Sequence, residues 1–202
     1  MMLHGEMVSQ DDHNEMSKVM KMREDYFSYI KEHIDNVLKA YTQLFENMNK
    51  ETYKSEKIHY DDIIVAIRNC KVTIQDHDTS KYSDEEFEPY RRKFHPTEFE
   101  KVKYEEDEIY RSFVDETFDL AWIHHYTNNS HHPLYWKEVA SENIKDMSLE
   151  AIIEMICDWE AMSMKFNTDT IEWYKTKADK EKSQMTEKTK EIVEEILFNI
   201  IH

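Results

Sequence analysis

The sequence predicts an all-α fold, a single bundle of about seven helices, on three observations. Only one glycine and three prolines occur in 202 residues, so the chain lacks the turn chemistry that β-hairpins require. Lys, Glu, Met and Ile, all accepted by helices, are abundant. Apolar residues recur at three- and four-residue intervals, the spacing that places them on one helical face. No repeat and no linker interrupts the pattern, so one domain is expected over residues 1–202, with residues 1–20 as a loosely attached N-terminal segment.

From Arg23 to Met48 the residues Tyr26, Phe27, Ile30, Ile34, Val37, Leu38, Tyr41, Leu44 and Phe45 keep this spacing, and His33 falls on their face. A polar stretch from Asn49 to Lys57 precedes a second helix starting near Asp61, with Ile63, Ile67, Cys70 and Ile74 on one side. Extending that register reaches His77 and Asp78. DTSKYS reads as a turn, and Ser83 with Glu86 forms the pattern of a capping box for a short helix carrying Phe87, Tyr90 and Phe94. Pro96 and Thr97 open a long helix to about Tyr126. Its later turns place Ile109, Phe113, Leu120 and His124 on one stripe and His125 on the next. TNNSHHP is a loop, because Asn and Ser compete with the helical backbone and the residue before Pro133 is pushed out of the helical region. Ser148 caps a helix whose buried face is Leu149, Ile152, Ile153, Ile156 and Trp159, with Ala151, Met155, Asp158 and Met162 alongside. Asp169 and Thr186 begin the last two helices.

Charge narrows the function classes. With 26 Lys and Arg against 43 Asp and Glu the net charge is −17, a field that repels phosphate backbones and anionic membrane surfaces. Nucleic-acid polymers and membranes are therefore not expected partners, whereas a small phosphorylated substrate stays open if a metal reverses the charge locally, and association with a second copy of the chain is left open. The single glycine, Gly5, excludes a phosphate-binding loop, a dinucleotide-binding fingerprint and a nucleophile elbow. Cys70 and Cys157 sit within apolar helical patterns, as buried free thiols of a reducing compartment do. No stretch is long and apolar enough for a membrane span, and MMLHGEMVSQDDHNEM lacks the basic start and apolar middle of a signal peptide. The cytoplasm is the expected location.

The candidate chemistry lies in histidines and aspartates. His33, the pair His77 and Asp78, the pairs His124 and His125 and His131 and His132, and Asp158 all fall at helix ends or on inward faces. Imidazole and carboxylate are ligands for Zn²⁺, Mn²⁺, Fe and Co. One core-facing histidine is ordinary if its ring nitrogens are satisfied. Five or six together with two aspartates point to a metal. Trp122, Trp136, Trp159 and Trp173 lie near these motifs and read as core packing before base stacking. Arg91, Arg92 and Lys93 read as a solvated face, with a contact to a phosphate tail as the alternative. The acidic run from Glu105 to Glu108 reads as solvent-facing charge.

In the order H, HD, HH, HH, D these elements resemble the HD superfamily of metal-dependent phosphohydrolases. HDTSK, from His77 to Lys81, is similar to that superfamily's HD-x-x-K turn, and CDWEAM is similar to the helix that supplies its final aspartate. The longer strings HDTSKYSDEEFEPY, FDLAWIHHYTNNSHHPLYW and EMICDWEAMSMKF resemble an uncharacterised bacterial and phage family of about this length. The resemblance implies an HD-domain-like fold and one or two divalent ions (Mn, Zn, Mg, Co or Fe) held by His33, His77, Asp78 and Asp158, with His124 and His132 as further ligands. It also implies that Lys81 faces a substrate phosphate, while His124, His125, His131 and His132 supply phosphate contacts, general acids or second-metal ligands. The pairs stand only seven positions apart, closer than in two-metal HD enzymes. The expected activity is hydrolysis of a nucleotide or other small phosphate ester. The alternatives are an HD-type di-iron oxygenase and a non-catalytic helical module stabilised by metal.

Overall fold

A computed structural model describes residues 10–137 and 143–200. These residues form ten α-helices and no β-strand: α1 (Gln10–Asn47), α2 (Tyr60–Asn69), α3 (Lys71–Gln75), α4 (Phe87–Phe94), α5 (Glu98–Glu106), α6 (Glu108–Asn128), α7 (Leu149–Phe166), α8 (Thr170–Lys177), α9 (Asp179–Ser183) and α10 (Glu187–Glu195). A 3-10 turn spans Thr79–Tyr82, another Pro133–Trp136, and a π-helical turn, Ile196–Ile200, follows α10. An isolated antiparallel bridge joins Lys137 and Ile144. Of the N-terminal segment assigned to residues 1–20, the first nine lie outside the described residues, while α1 already begins at Gln10.

The helix count exceeds seven because three expected helices are each divided, at Cys70, Asp107 and Ala178. The long helix expected from Thr97 to Tyr126 breaks at Asp107, which leaves the helical region at φ −111°, ψ 105°. Its Oδ1 accepts from the backbone N–H groups of Ile109 and Tyr110 at 3.0 Å, so the aspartate caps α6 instead of continuing α5. The expected capping box at Ser83 does not form: α4 starts at Phe87 with no side-chain cap, and Glu86, fully buried, spends its carboxylate on His124. A capping box is present at Thr97, whose hydroxyl accepts from the Glu100 N–H at 3.1 Å while the Glu100 carboxylate accepts from the Thr97 N–H at 2.8 Å. Ser148, Asp169 and Thr186 cap α7, α8 and α10 as expected.

The described chain clusters into two compact units, residues 1–30 with 80–124, and residues 31–79 with 125–202. The boundaries fall inside α1 and inside α6.

In the first unit Tyr26 packs against Phe87 and His95 at ring-centroid distances of 5.1 and 5.2 Å. The basic run expected on a solvated face is partly internal. Arg91 is 1% exposed, and its guanidinium forks onto Glu100 at 2.6 and 2.7 Å while Nε donates to Glu88 at 3.1 Å. A buried guanidinium requires this pairing, because an uncompensated charge in a low-dielectric interior is costly. In α6 the stripe expected to pack is the exposed one, with Ile109 84% and Leu120 67% exposed, whereas Val114 and Ala121 are buried. Two apolar stripes run along this helix, and the one with smaller side chains faces inward.

The second unit holds the apolar core: Val37 and Leu44 from α1, Ile63 and Ile67 from α2, Ile152, Ile153 and Ile156 from α7, and Val193 and Leu197 near the C-terminal end. Each fully buried aliphatic side chain contributes on the order of 1.5–3 kcal/mol. Tyr41, buried with them, donates its hydroxyl to the carbonyl of Ile67 at 2.9 Å, which ties α1 to α2. Cys70 and Cys157 are free and buried, and burial pushes the Cys70 thiol up to about 12.

Glu100→Ala should destabilise the protein by about 2 kcal/mol, because it removes the forked carboxylate and leaves the buried Arg91 charge with Glu88 and the His95 carbonyl alone. Burial raises the Glu100 pKa, but the hydrogen bonds from Arg91 and from the Thr97 backbone outweigh it and hold the carboxyl below its usual range. Its contribution is therefore complete above the ordinary glutamate pKa of about 4.3 and disappears as pH falls through the lower folded value. Thermal melts between neutral and acid pH should show a pH-dependent loss in wild type that is smaller in the variant.

Candidate metal centre

The second unit gathers its ionisable side chains from four places in the chain. His33 comes from α1. His77 and Asp78 occupy the turn after α3. His125 lies in the last turn of α6, with His131 and His132 in the turn that follows. Glu154 and Asp158, four residues apart, share one face of α7. Asp78 takes a left-handed backbone at φ 55°, a conformation that aspartate accepts more readily than most residues. That turn ends α3 and puts His77 and Asp78 side by side. His33, His77, Asp78, His125 and His131 are each at most 4% exposed.

Asp78 is the hub. Its Oδ2 lies 3.5 Å from His33 Nε2 and 3.7 Å from His77 Nε2, and its Oδ1 lies 3.3 Å from His125 Nε2 and 3.6 Å from His131 Nε2. On α7, Asp158 Oδ1 stands 3.1 Å from His33 Nε2 and 3.9 Å from His77 Nε2. Most of these separations exceed a good hydrogen bond. Ligands each about 2.1 Å from an ion stand roughly 3.0–3.4 Å apart; the 3.1 and 3.3 Å separations fall in that range and the other four are wider, so an ion would draw those donors inward. Among the described residues the buried Nε2 atoms of His77 and His131 have no hydrogen-bond partner. Three overlapping groups have donor atoms close enough to share an ion: Asp78 with His125, His131 and His132; His33 with His77 and Asp78; and His77 with His131 and Asp158.

A second layer aims the rings. His77 Nδ1 donates to Glu154 Oε1 at 2.9 Å, and His131 Nδ1 lies 3.1 Å from the same oxygen. With Nδ1 turned to a carboxylate, Nε2 of each ring points toward the aspartates, the arrangement that fixes tautomer and orientation in histidine metal sites. The side-chain amide of Asn129 stands 3.3 Å from His125 Nδ1 and donates to the His125 carbonyl at 2.7 Å. Trp136 Nε1 donates to the carbonyl of Ser130 at 2.7 Å and anchors the turn bearing His131 and His132.

The protonation states follow from burial and charge. Burial lowers the His33 pKa, but hydrogen bonds to Asp158 and Asp78 more than compensate and raise it to about 9. Burial would raise Glu154, yet His131 and His77 hold it down at about 2. Asp158 is likewise depressed, with His33 outweighing desolvation. Burial pushes His131 down, reinforced by His77, and His132 further, reinforced by His131 and His125. His131 and His132 are thus held in the neutral form that ligates metals, whereas His33 carries a proton at neutral pH that it would release on binding an ion.

Of the residues singled out in the sequence, His33, His77, Asp78, His125, His131, His132 and Asp158 thus meet in the second unit. His124 belongs to none of the metal-capable groups. It lies in the first unit, where its Nδ1 donates to the buried Glu86 at 2.7 Å. Lys81 is also in the first unit, its Nζ 5.7 Å above the Tyr90 ring. Glu154 and Asn129 escaped the sequence reading. The signal for Glu154 was a glutamate one turn before Asp158 in an otherwise apolar helix.

The fold and the cluster define an all-α protein with a buried His and Asp group suited to holding a metal ion. The chain belongs to a family of unknown function, DUF5662, which it matches over residues 22–199. No curated protein and no solved structure matches it. Among the described residues no helix is long and apolar enough to cross a membrane.

Glu154→Gln keeps the volume of the side chain and removes its charge. Affinity for Mn²⁺ or Zn²⁺, measured by calorimetric titration, should fall roughly 10- to 100-fold, with little change in helical content. Unchanged affinity would make Glu154 a packing residue.

Proposed function

We propose that this protein is a metal-dependent phosphohydrolase acting on a nucleotide or another small phosphate ester, with its ions held in the second unit. The observation that carries the reading is the single carboxylate, Asp78, faced by four imidazole nitrogens at 3.3–3.7 Å. His33, His77, Asp78 and Asp158 would hold one ion. His125, His131 and His132 would hold a second, with Asp78 common to both. A divalent ion in such a site acidifies water near neutral pH and polarises a phosphoryl oxygen.

The protein's own residues support this in separate ways. Glu154 keeps the Nε2 atoms of His77 and His131 directed at the aspartates, so the donor set needs little reorganisation. Carboxylates and imidazoles without a thiol suit Mn, Zn, Fe or Co over the softer metals. The net charge of −17 disfavours polymeric nucleic acid and leaves small esters. The HDTSK and CDWEAM strings resemble those of HD phosphohydrolases, which is the support for phosphoryl chemistry in particular. A di-iron oxygenase is the second reading, favoured by the same set of histidines and two aspartates around a shared Asp78.

Protein purified without chelators should contain one or two equivalents of a divalent metal and release phosphate from at least one member of a panel of phosphorylated metabolites. Asp78→Asn should lose the metal and the turnover together, by at least about 100-fold, because Asp78 would be common to both proposed ions and belongs to two of the three groups. Nearly two equivalents of iron, near-ultraviolet absorption and no phosphate release would replace hydrolysis with oxygen chemistry. A chelator that unfolds a protein inactive on every ester would mark a structural ion.

A further inference from the structure

A cavity of about 480 Å³ opens beside the C-terminal half of α7, lined by Trp159, Met162 and Phe166 from that helix and by Trp173, Lys177 and Glu181 from α8 and α9. All of these residues belong to the second unit. The volume falls within the range of small-ligand sites. Its walls are aromatic: the indoles of Trp159 and Trp173 stand 5.2 Å apart at 58°, so they are tilted and do not stack face to face. Phe166, at its edge, is 60% exposed, an apolar surface left in water. Among the described residues Lys177 and Glu181 make no side-chain ion pair, so the cavity presents a hydrogen-bond donor and an acceptor beside the aromatic walls.

We infer that this cavity is a nucleobase subsite, binding a planar heteroaromatic ring against Trp159 and Trp173 with its polar edge met by Lys177 and Glu181. Indole faces favour flat rings through stacking, and an alkyl chain would make no use of the Lys177 donor and the Glu181 acceptor. Position on α7 links the cavity to the metal centre. Trp159 follows Asp158 directly, and Met162 lies one turn beyond it on the same face, about 6 Å along the axis. A nucleotide with its base in the cavity would carry its phosphate toward Asp158. This deepens the proposed function and rests on it for the phosphate end only.

The test is intrinsic tryptophan fluorescence of the full chain titrated with unphosphorylated ribonucleosides, with and without a chelator. Saturable quenching by at least one nucleoside is expected in both conditions, because the base needs no metal. Trp173→Leu should weaken that binding about tenfold, the size of one lost stacking contact, and Phe166→Ala, at an exposed position that leaves the core intact, should weaken it in the same direction. Trp122→Phe, on α6 and outside the cavity, should leave it unchanged. Binding unaffected by both cavity variants, or no saturable binding by any ribonucleoside, would overturn the inference. Displacement of nucleoside by a simple alkyl sulfonate with equal affinity would also overturn it, by showing a pocket that does not select flat rings. Nucleoside binding in a protein without metal or phosphatase activity would sink the hydrolase reading and leave this one standing.

Discussion

Buried negative charge is the constraint on which the second unit depends. Asp78 and Glu154 are at most 4% exposed, and a lone carboxylate at such depth costs several kcal/mol. Histidines from three other parts of the chain converge on these carboxylates and offset that cost. The surrounding local structure serves the convergence: α3 stops after Gln75 so that His77 and Asp78 can turn inward, Asp78 accepts a left-handed backbone, and Trp136 pins the turn bearing His131 and His132.

The cluster is layered, and the layers do different work. Glu154 takes the Nδ1 side of His77 and lies against that of His131, which leaves their Nε2 atoms unpartnered and facing Asp78 and Asp158. A core satisfying its own polar groups would pair those nitrogens as well. Among the described residues those nitrogens are left facing the aspartates, which is an arrangement that could hold a metal ion. The apolar core on α2 and α7 provides the rigid backing, since Ile152, Ile153 and Ile156 lock the helix that carries Glu154 and Asp158.

The first unit solves the same problem with a permanent cation. Arg91 is as deeply buried as the histidines, but its guanidinium is always charged, and it donates to Glu100, Glu88 and the His95 carbonyl through four hydrogen bonds. Glu86 and His124 make a further internal pair there. In one unit the charges are closed on themselves, and in the other they converge on a common point.

The sequence by itself determined the helical class, three of the side-chain caps (Ser148, Asp169 and Thr186), the buried thiols and most of the donor set, because periodicity and residue chemistry are local properties. His33, His77, Asp78 and Asp158 were legible as a group from their inward registers. Tertiary structure alone decided that of the first histidine pair only His125 belongs with them, while both His131 and His132 do. His124 and His125 differ by 100° around α6, and only packing turns one to Glu86 and the other to Asp78. It also decided that Asp107 would break the long helix, since a capping side chain and a continuing helix are close in energy and neighbouring contacts choose between them. Glu154 was invisible for a related reason: a glutamate in an apolar helix reveals its role only when the two imidazoles it serves, distant in sequence, are brought to the same oxygen.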